Sequence, residues 1–263
     1  MSEGGSVRLS IADGIARVTL NRPEAGNAVD MDMAQALLDV AIRCEQDDPI
    51  RCVLLSGEGR LFCAGGDLSA FRAAGDKVDA FLEELATTLH AAIERFARMA
   101  KPLLVLVNGP AAGAGLSLAI AGDVVLCARS AHFTAAYGAL GLTPDGGMSW
   151  MLPRLVGLRK AQEIILTNRR VGADEAERIG LVTRMVDDER LGEEGLAMAR
   201  ALTDGPRAAL GAARALLRDS FQTDLKSQLA SEARTIAQAG GSAECREGLA
   251  AYIAKRTPDF KGA

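Results

Sequence analysis

The chain has 263 residues, of which 49% are hydrophobic and 24% charged, and its formal net charge is −4. This length allows one sizeable core, or a core with a small appendage. The 30 Lys and Arg residues are scattered along the sequence, so no basic block indicates a nucleic-acid partner. No apolar run reaches the roughly 18 residues of a membrane span, and the first residues do not resemble a secretory leader. We therefore expect a soluble, cytoplasmic protein without a membrane partner.

The cysteines give no sign of a cross-link or a metal site. The chain has five, none of them in a Cys-x-x-Cys pair, and most lie inside apolar runs. This distribution is typical of buried free thiols. Neither a disulfide nor a bound metal is expected.

The first elements along the chain are a hairpin, a helix and a strand. Apolar and polar residues alternate over 7–11 and again over 15–20, on either side of an Asp-Gly turn, which predicts a β-hairpin. Asp30 can cap a helix that ends near Pro49. Residues 51–57 form the next predicted strand because they are apolar and bounded by turn residues.

A unit of strand, glycine-rich turn and helix then occurs twice, at 51–74 and at 103–121. A long helix predicted over 78–99 separates the two units, and another strand is expected at 123–129. The sequence from about residue 145 is mostly helical in pattern. Strands that alternate with helices predict the α/β class, here followed by a helical C-terminal region.

The glycine-rich turns leave backbone N–H groups free for an anionic ligand. Residues 111–123, "AAGAGLSLAIAGD", do not match a dinucleotide fingerprint because Leu118 stands where the third glycine belongs. No Lys-Ser or Lys-Thr follows, as a phosphate-binding loop requires. Residues 63–67, "CAGGD", offer a second such turn. Two donors in an apolar setting suit an enolate or thioester oxyanion, although close packing of helices on the sheet would also explain the glycines.

Five segments together resemble the crotonase superfamily, the enoyl-CoA hydratase/isomerase family, in the order and spacing typical of it. They are "LNRPEAGNA" (20–28), "FCAGGDL" (62–68), "KPLLVLVNGPAAGAGLSLAIAGDVVL" (101–126), "GLTPDGGMSWMLPRLVG" (141–157) and "ADEAERIGLV" (173–182). The resemblance implies a spiral of ββα turns with an acyl-CoA site over residues 1–190. It also implies a helical region over 191–263 that forms a homotrimer or a dimer of trimers. Coenzyme A would be part of the substrate, so no separate cofactor is expected.

The resemblance also implies which residues form the site. The two oxyanion donors would be the N–H groups of Ala64 and Ala114. The residues placed near the coenzyme A thioester are Arg22, Ala25, Ala28, Gly65, Gly66, Asp67, Leu68, Gly113, Ser117, Tyr137, Phe260 and Lys261.

Two glutamates hold and activate water in the hydratases of this family, and Ser117 and Tyr137 stand in their places here. The pKa of serine is far too high for an unaided general base, so we expect slow hydration. The Ser117 side chain is expected to bond back to the carbonyl of Gly113 within its helix. Tyr137 is expected to shape the acyl pocket.

Asp145 in "TPDGG" is the carboxylate best placed for chemistry. An aspartate in such a turn commonly caps the helix that follows. The position also matches the aspartate of members such as 1,2-epoxyphenylacetyl-CoA isomerase, and the nucleophile of 4-chlorobenzoyl-CoA dehalogenase. We predict a double-bond isomerase with Asp145 as acid and base. The alternatives are a hydratase with atypical catalytic residues, an aryl-CoA dehalogenase or hydrolase with Asp145 as nucleophile, and a non-catalytic acyl-CoA-binding scaffold.

The two histidines are predicted to be structural. His90 lies at the edge of the apolar face of the 78–99 helix and has a counterpart in the dehalogenase. A lone histidine on a helix is more commonly structural, so we predict no catalytic role for it. His132, next to Phe133 in a strand, is interpreted in the same way.

Overall fold

The computed structural model describes residues 5–262. Within this range the strands are β1 (Val7–Ala12), β2 (Ile15–Leu20), β3 (Cys52–Gly57), β4 (Leu103–Val107), β5 (Ala111–Ala112), β6 (Val124–Ala128), β7 (His132–Thr134), β8 (Val171–Gly172) and β9 (Arg184–Val186). The helices are α1 (Met31–Gln46), α2 (Leu68–Ala74), α3 (Val78–Arg98), α4 (Ala114–Ile120), α5 (Met148–Val156), α6 (Leu158–Thr167), α7 (Ala173–Arg178), α8 (Leu191–Asp204), α9 (Arg207–Asp219), α10 (Leu225–Gly240) and α11 (Ala243–Ile253). Strands and helices alternate over the first half, which confirms the predicted α/β class.

The larger sheet has the strand order β1-β2-β3-β4-β6-β9. β1 and β2 form the predicted antiparallel hairpin, whose turn residues Asp13 and Gly14 both have positive φ angles, 52° and 78°. This conformation matches the twist of the two strands and favours an Asp-Gly pair. From β2 onward the neighbouring strands are parallel, so β3 and β4 end at the same edge of the sheet. The two glycine-rich loops follow those two strand ends and therefore lie close together.

The helices α1 and α3 have clear local causes. Asp30 accepts a hydrogen bond from the Met33 N–H and begins α1 as predicted. The apolar face of α3 buries Leu85, Leu89 and Phe96, and this face packs against α1. The middle strand β4 is buried along its whole length, as expected for a parallel strand covered on both faces.

Three short strands were not expected from the sequence. β5, β8 and β9 have two or three residues each, and they fall in segments that we interpreted as turns or helices. So few residues show no alternation of apolar and polar side chains, and their pairing depends on segments far away in the chain. β5, β7 and β8 together form a second, small sheet.

All five cysteines are free in the structure. Cys44, Cys52, Cys63 and Cys127 are buried, and burial raises the pKa of each thiol to about 12. These four thiols therefore stay protonated at neutral pH and act as small apolar side chains.

The C-terminal helices differ in how they meet the sheet. α8 buries Leu191 and Ala199, and its Gly195 packs so closely on Leu106 that a Cβ there would lie 2.4 Å from that side chain. α10 has no buried residue in the described range. Large apolar side chains on α10 and α11 are exposed, namely Leu225, Leu229, Ile236, Leu249, Tyr252 and Ile253. The trimer, and the division of the chain at residue 190, stay predictions. Within residues 5–262, no helix is both long enough and apolar enough to cross a membrane.

Candidate active site

An apolar cavity of about 500 Å³ lies beside the two glycine-rich loops. α2 and α3 form one side of it, and the segment 136–145 forms another. The residues that line it are Val29, Ala64, Gly65, Gly66, Leu68, Phe71, Leu82, Glu83, Leu85, Ala86, Leu89, Gly113, Ala114, Ala136, Tyr137, Ala139, Leu140, Leu142, Thr143 and Asp145. Most of these side chains are hydrocarbon, so the cavity suits an apolar group oriented by a few polar contacts.

The first loop, residues 62–67, uses one of its amides within the fold. The Ala64 N–H donates to the carbonyl of Gly26 at 2.9 Å. The Gly66 N–H has no acceptor among residues 5–262. A bonded amide cannot also bind an oxyanion, so the assignment of this donor to Ala64 is corrected. The free donors of the loop are the N–H groups of Gly65 and Gly66, since neither has an acceptor among residues 5–262.

The second loop follows β4, contains Gly113 and leads directly into α4. Its N-cap residue is Gly113, which has a φ of +53° and no side chain that could cap the helix. Ala114 is the first helical residue, and the first N–H groups of a helix have no partner within it. No described residue accepts a hydrogen bond from the Ala114 N–H. This amide is free to bind an oxygen, and its role as an oxyanion donor stays a prediction.

Glycine brings the two loops into contact. A Cβ on Gly115 would lie 2.3 Å from the carbonyl oxygen of Cys63, closer than carbon and oxygen can approach without a shift of the backbone. Any larger residue at that position would therefore push the loops apart. As a result, Gly66 and Ala114 line the same cavity with their amides free. Two such amides can together stabilise one negatively charged oxygen.

The carboxylate of Asp145 lies in the same cavity. Its Oδ1 accepts a hydrogen bond from the Tyr137 hydroxyl at 2.5 Å. Burial, and then the negative charge of Asp145, raise the pKa of Tyr137 well above its ordinary value, so the hydroxyl keeps its proton and donates it. Among residues 5–262, none donates a hydrogen bond to Oδ2. Oδ2 therefore retains lone pairs for a proton from a substrate.

The side chain of Asp145 does not cap the following helix. α5 begins at Met148 after Gly147, and it has no side-chain cap. The Met148 N–H donates instead to the backbone carbonyl of Asp145 at 3.1 Å. Because the backbone forms the turn, the carboxylate is left for the cavity.

Ser117 supports the turn of Asp145 through a hydrogen bond to its backbone. Its hydroxyl is buried and donates to the Asp145 carbonyl at 2.9 Å, not to the carbonyl of Gly113 as expected. The turn packs directly on α4 here, since a Cβ on Gly146 would lie 2.7 Å from the Cβ of Ser117. Ser117 does not line the cavity, so its predicted contact with the substrate is corrected to a structural role.

His90 contacts the same turn from the solvent side. Its Nε2 accepts a hydrogen bond from the Gly146 N–H at 2.9 Å and lies 3.5 Å from Oδ2 of Asp145. A ring nitrogen that accepts an N–H does not donate at the same time, so Nε2 gives no hydrogen bond to Oδ2 in this arrangement. The ring is 46% exposed and does not line the cavity. The structural role of His90 stays a prediction.

The residues predicted from the first motif support the loop from outside the cavity. The Arg22 guanidinium donates to the Ala28 carbonyl at 2.6 Å and pairs with the Asp67 carboxylate at 3.0 Å. Asp67 also caps α2 by accepting from the Ser69 N–H at 2.9 Å. Partial burial would raise the pKa of Asp67, but these hydrogen bonds outweigh it and lower that pKa. Contacts of Arg22, Ala25, Ala28 and Asp67 with coenzyme A stay predictions.

The C-terminal residues Phe260 and Lys261 lie away from the cavity of the same chain. Lys261 pairs with Asp204 at the end of α8, at 2.5 Å between Nζ and Oδ1. The Phe260 ring lies beside Gly248 of α11. The tail folds back on α8 and α11, so neither residue meets the predicted substrate contact within one chain.

Sequence reasoning missed the wall that α3 contributes. Leu82, Glu83 and Ala86 line the cavity, and so do Leu85 and Leu89, which are also part of the core. The helical spacing of these leucines is a signal for a buried face, but it does not separate a core from a cavity. Glu83 gave no signal, because a glutamate on a helix is ordinarily solvated.

Three comparisons with known proteins agree with this geometry. Residues 10–263 match the family model described as Enoyl-CoA hydratase/isomerase. The chain is 38% identical over 260 residues to the 1,2-epoxyphenylacetyl-CoA isomerase of Escherichia coli (strain K12), covering 96% of this chain and 97% of that protein. It is 32% identical over 262 residues to the 4-chlorobenzoyl coenzyme A dehalogenase-2 of Arthrobacter sp, covering 97% and 94%.

A solved structure supports the fold as well. The crystal structure of an enoyl-CoA hydratase from Polaromonas sp. JS666 superimposes with a TM-score of 0.92 at 32% identity, over 97% of this chain and 99% of the other. The predicted crotonase fold is thereby confirmed. The chain belongs to the enoyl-CoA hydratase/isomerase family of the crotonase superfamily.

Proposed function

We propose that this chain is an acyl-CoA isomerase that moves the double bond of an enoyl thioester, with Asp145 as acid and base. The observation that supports this most strongly is that one apolar cavity holds the Asp145 carboxylate together with the free amides of Gly66 and Ala114. Membership of the family supports an acyl-CoA thioester as substrate. Coenzyme A arrives as part of that substrate, and the proposed reaction uses no separate cofactor.

The proposed reaction is a proton transfer within the substrate. The thioester carbonyl oxygen binds the amides of Gly66 and Ala114. Oδ2 of Asp145 removes a proton from the α or the γ carbon, and the electron pair moves onto that oxygen as an enolate. Asp145 then returns the proton at the other carbon, which shifts the double bond and leaves the enzyme unchanged. A single oxyanion donor typically contributes about 10²- to 10³-fold to the rate.

Tyr137 has a positioning role in this proposal. Its hydroxyl stays protonated and donates to Oδ1 of Asp145. This bond fixes the orientation of the carboxylate and leaves Oδ2 for the substrate.

Two alternatives fit the geometry less well. A hydratase needs a second group to orient water, but Ser117 is buried behind the turn and is bonded to the Asp145 carbonyl. A hydrolase with Asp145 as nucleophile needs a base to activate water. His90 is the neighbouring base, but its Nε2 already accepts the Gly146 N–H, and the ring lies outside the cavity wall.

The test is the substitution Asp145→Asn, assayed with a trans-3-enoyl-CoA for isomerisation and for exchange of α protons with deuterated solvent. Asparagine keeps the shape of the side chain but cannot accept the proton. We expect both rates to fall at least about a hundredfold, because loss of a general base costs about 10²- to 10⁴-fold. Binding of the thioester should persist.

The matched control is Asp76→Asn, which changes an exposed aspartate outside the cavity and should leave both rates unchanged. Normal exchange in a folded Asp145→Asn protein would overturn the proposal. So would an acyl ester on Asp145 in the mass of the intact protein, since that would identify a nucleophile. Hydration of crotonyl-CoA should be slow, and a rate typical of a two-glutamate hydratase would also contradict the assignment.

A further inference from the structure

The cavity wall carries acidic side chains but no basic ones. Glu83 and Asp145 are the acidic residues among those that line the cavity, and no Lys, Arg or His of the described chain lines it. The other lining groups are apolar, apart from the backbone amides and the side chains of Tyr137 and Thr143. A ligand that fills this space therefore meets negative charge without a protein cation to offset it.

Asp145 is accounted for by the proposed proton transfer, but Glu83 is not. Glu83 is exposed and lies on α3, between the lining residues Leu82 and Leu85. Within residues 5–262, no basic side chain forms an ion pair with it, and none donates a hydrogen bond to it. Its negative charge is therefore available to any group that approaches the mouth of the cavity.

Like charges repel more strongly beside apolar walls than in open water, because the surrounding medium screens them less. An acyl group that ends in a carboxylate would carry such a charge into the cavity. A hydrocarbon end, or a neutral polar one, would not meet this penalty.

We infer that Glu83 is a specificity-determining residue that restricts the acyl group to uncharged chains and excludes those with a terminal carboxylate. This inference rests on the proposed function, because it takes the acyl part of a coenzyme A thioester as the occupant of the cavity. It concerns binding rather than proton transfer, so it holds for any reaction at Asp145.

The test compares the binding of hexanoyl-CoA with that of adipoyl-CoA by calorimetry. The two ligands have the same chain length, and only the second ends in a carboxylate. Both are saturated, so no double bond is available to shift. The coenzyme A charges are common to both ligands and cancel in the ratio of the two dissociation constants.

The unchanged chain should bind hexanoyl-CoA more tightly than adipoyl-CoA. Part of that preference is the cost of removing the adipoyl carboxylate from water. Glu83→Gln does not change this cost. The variant should narrow the ratio by about tenfold, a size reasonable for one partly screened charge. Glu83→Lys should narrow it further, and added salt should narrow it more in the unchanged chain than in Glu83→Gln, where Asp145 is the remaining charge on the wall.

Glu84→Gln is the matched control, because Glu84 is also exposed on α3 but does not line the cavity. It should leave the ratio unchanged. An equal ratio in Glu83→Gln and the unchanged chain would overturn the inference and leave the proposed function intact. If the unchanged chain bound neither thioester, the proposed function would fail, and the inference would fail with it.

Discussion

The two glycine-rich loops of the cavity have a similar place in the fold but supply their free amides in different ways. Each follows a parallel strand, β3 or β4, and each leads into a short helix, α2 or α4. In the first loop the Asp67 side chain accepts hydrogen bonds from the N–H groups of Ser69 and Ala70 at the start of the helix. In the second loop Gly113 has no side chain, so the first helical amide stays free.

This difference explains why the sequence pointed to a free amide in the second loop but to a bonded one, that of Ala64, in the first. Where a helix begins without a cap, its first N–H is free for a local reason that a sequence shows. Where a side chain caps the helix, the free amide lies earlier, in a loop bonded to another part of the chain. The Ala64 N–H donates to the carbonyl of Gly26, which is 38 positions away in the sequence, and the amides of Gly65 and Gly66 are left. Only the tertiary structure reveals that choice.

After Asp145→Asn, the largest expected effect comes from removing the helix-start donor with Ala114→Pro. Proline lacks an N–H and is tolerated at the first position of a helix, so α4 should still form. We expect kcat/KM for the thioester to fall by about 10²- to 10³-fold, because one oxyanion donor is lost. Steady-state kinetics and a melting curve measure the two quantities.

Ala114→Gly is the control, because it also changes the side chain at this position but keeps the N–H, and its activity should stay close to that of the unchanged chain. Full activity in a folded Ala114→Pro protein would contradict the idea that the start of α4 supplies a donor. The two loops would then not act together as donors to one oxyanion.

The second prediction separates the two amides of the first loop. Replacing residue 66 with glycolic acid, by semisynthesis, removes its N–H without adding a side chain. We expect kcat/KM to fall by about a hundredfold. Replacing residue 64 with lactic acid removes the hydrogen bond to Gly26 instead. That change should cost about 1 kcal/mol of the free energy of unfolding and leave the activity near normal.

The two esters are matched, because each also weakens one carbonyl acceptor. The Gly65 carbonyl accepts from the Val29 N–H at 2.7 Å, and the Cys63 carbonyl accepts from the Ala112 N–H at 3.0 Å. If the ester at residue 64 reduced activity more than the ester at residue 66, the correction from Ala64 to Gly66 would be wrong.

Most of the fold could be predicted because its causes are local. The Asp-Gly hairpin turn, the Asp30 cap of α1 and the apolar stripe of α3 all act within a few residues. They place the elements within about three residues of the predicted bounds. The short strands β8 and β9 were missed because their pairing is decided by distant segments.

Less of the site could be predicted, because its geometry joins distant segments. The sequence placed Asp145 in a tight turn, but not the Tyr137 hydroxyl on its Oδ1 or the Ser117 hydroxyl on its carbonyl. The tail shows the same limit. Lys261 matched a binding motif, yet within one chain it pairs with Asp204. A motif indicates which residue types are present, while the contacts depend on the packing of the whole chain.

The smallest expected effect is a pH-dependent one, and it tests the cap that distinguishes the first loop. Asp67→Ala removes the cap of α2 and the partner of Arg22, and should cost about 1 kcal/mol of the free energy of unfolding at pH 7. The fold lowers the pKa of Asp67, so the ionised form is the one that stabilises it. The difference between variant and unchanged chain should therefore be full above the ordinary pKa of 3.8 and shrink as the pH falls below it.

Urea unfolding of both chains across that range measures the difference in stability. Asp224→Ala is the control, because Asp224 caps α10, far along the chain from both loops, and its pKa is also lowered, by hydrogen bonds from Ser227. Both variants should show the same direction of pH dependence. Only Asp67→Ala should reduce kcat/KM at pH 7, by a few-fold, since only that cap holds the loop of Gly66. An equal loss of activity in both variants would mean that the cap acts through overall stability and not through the position of the donor.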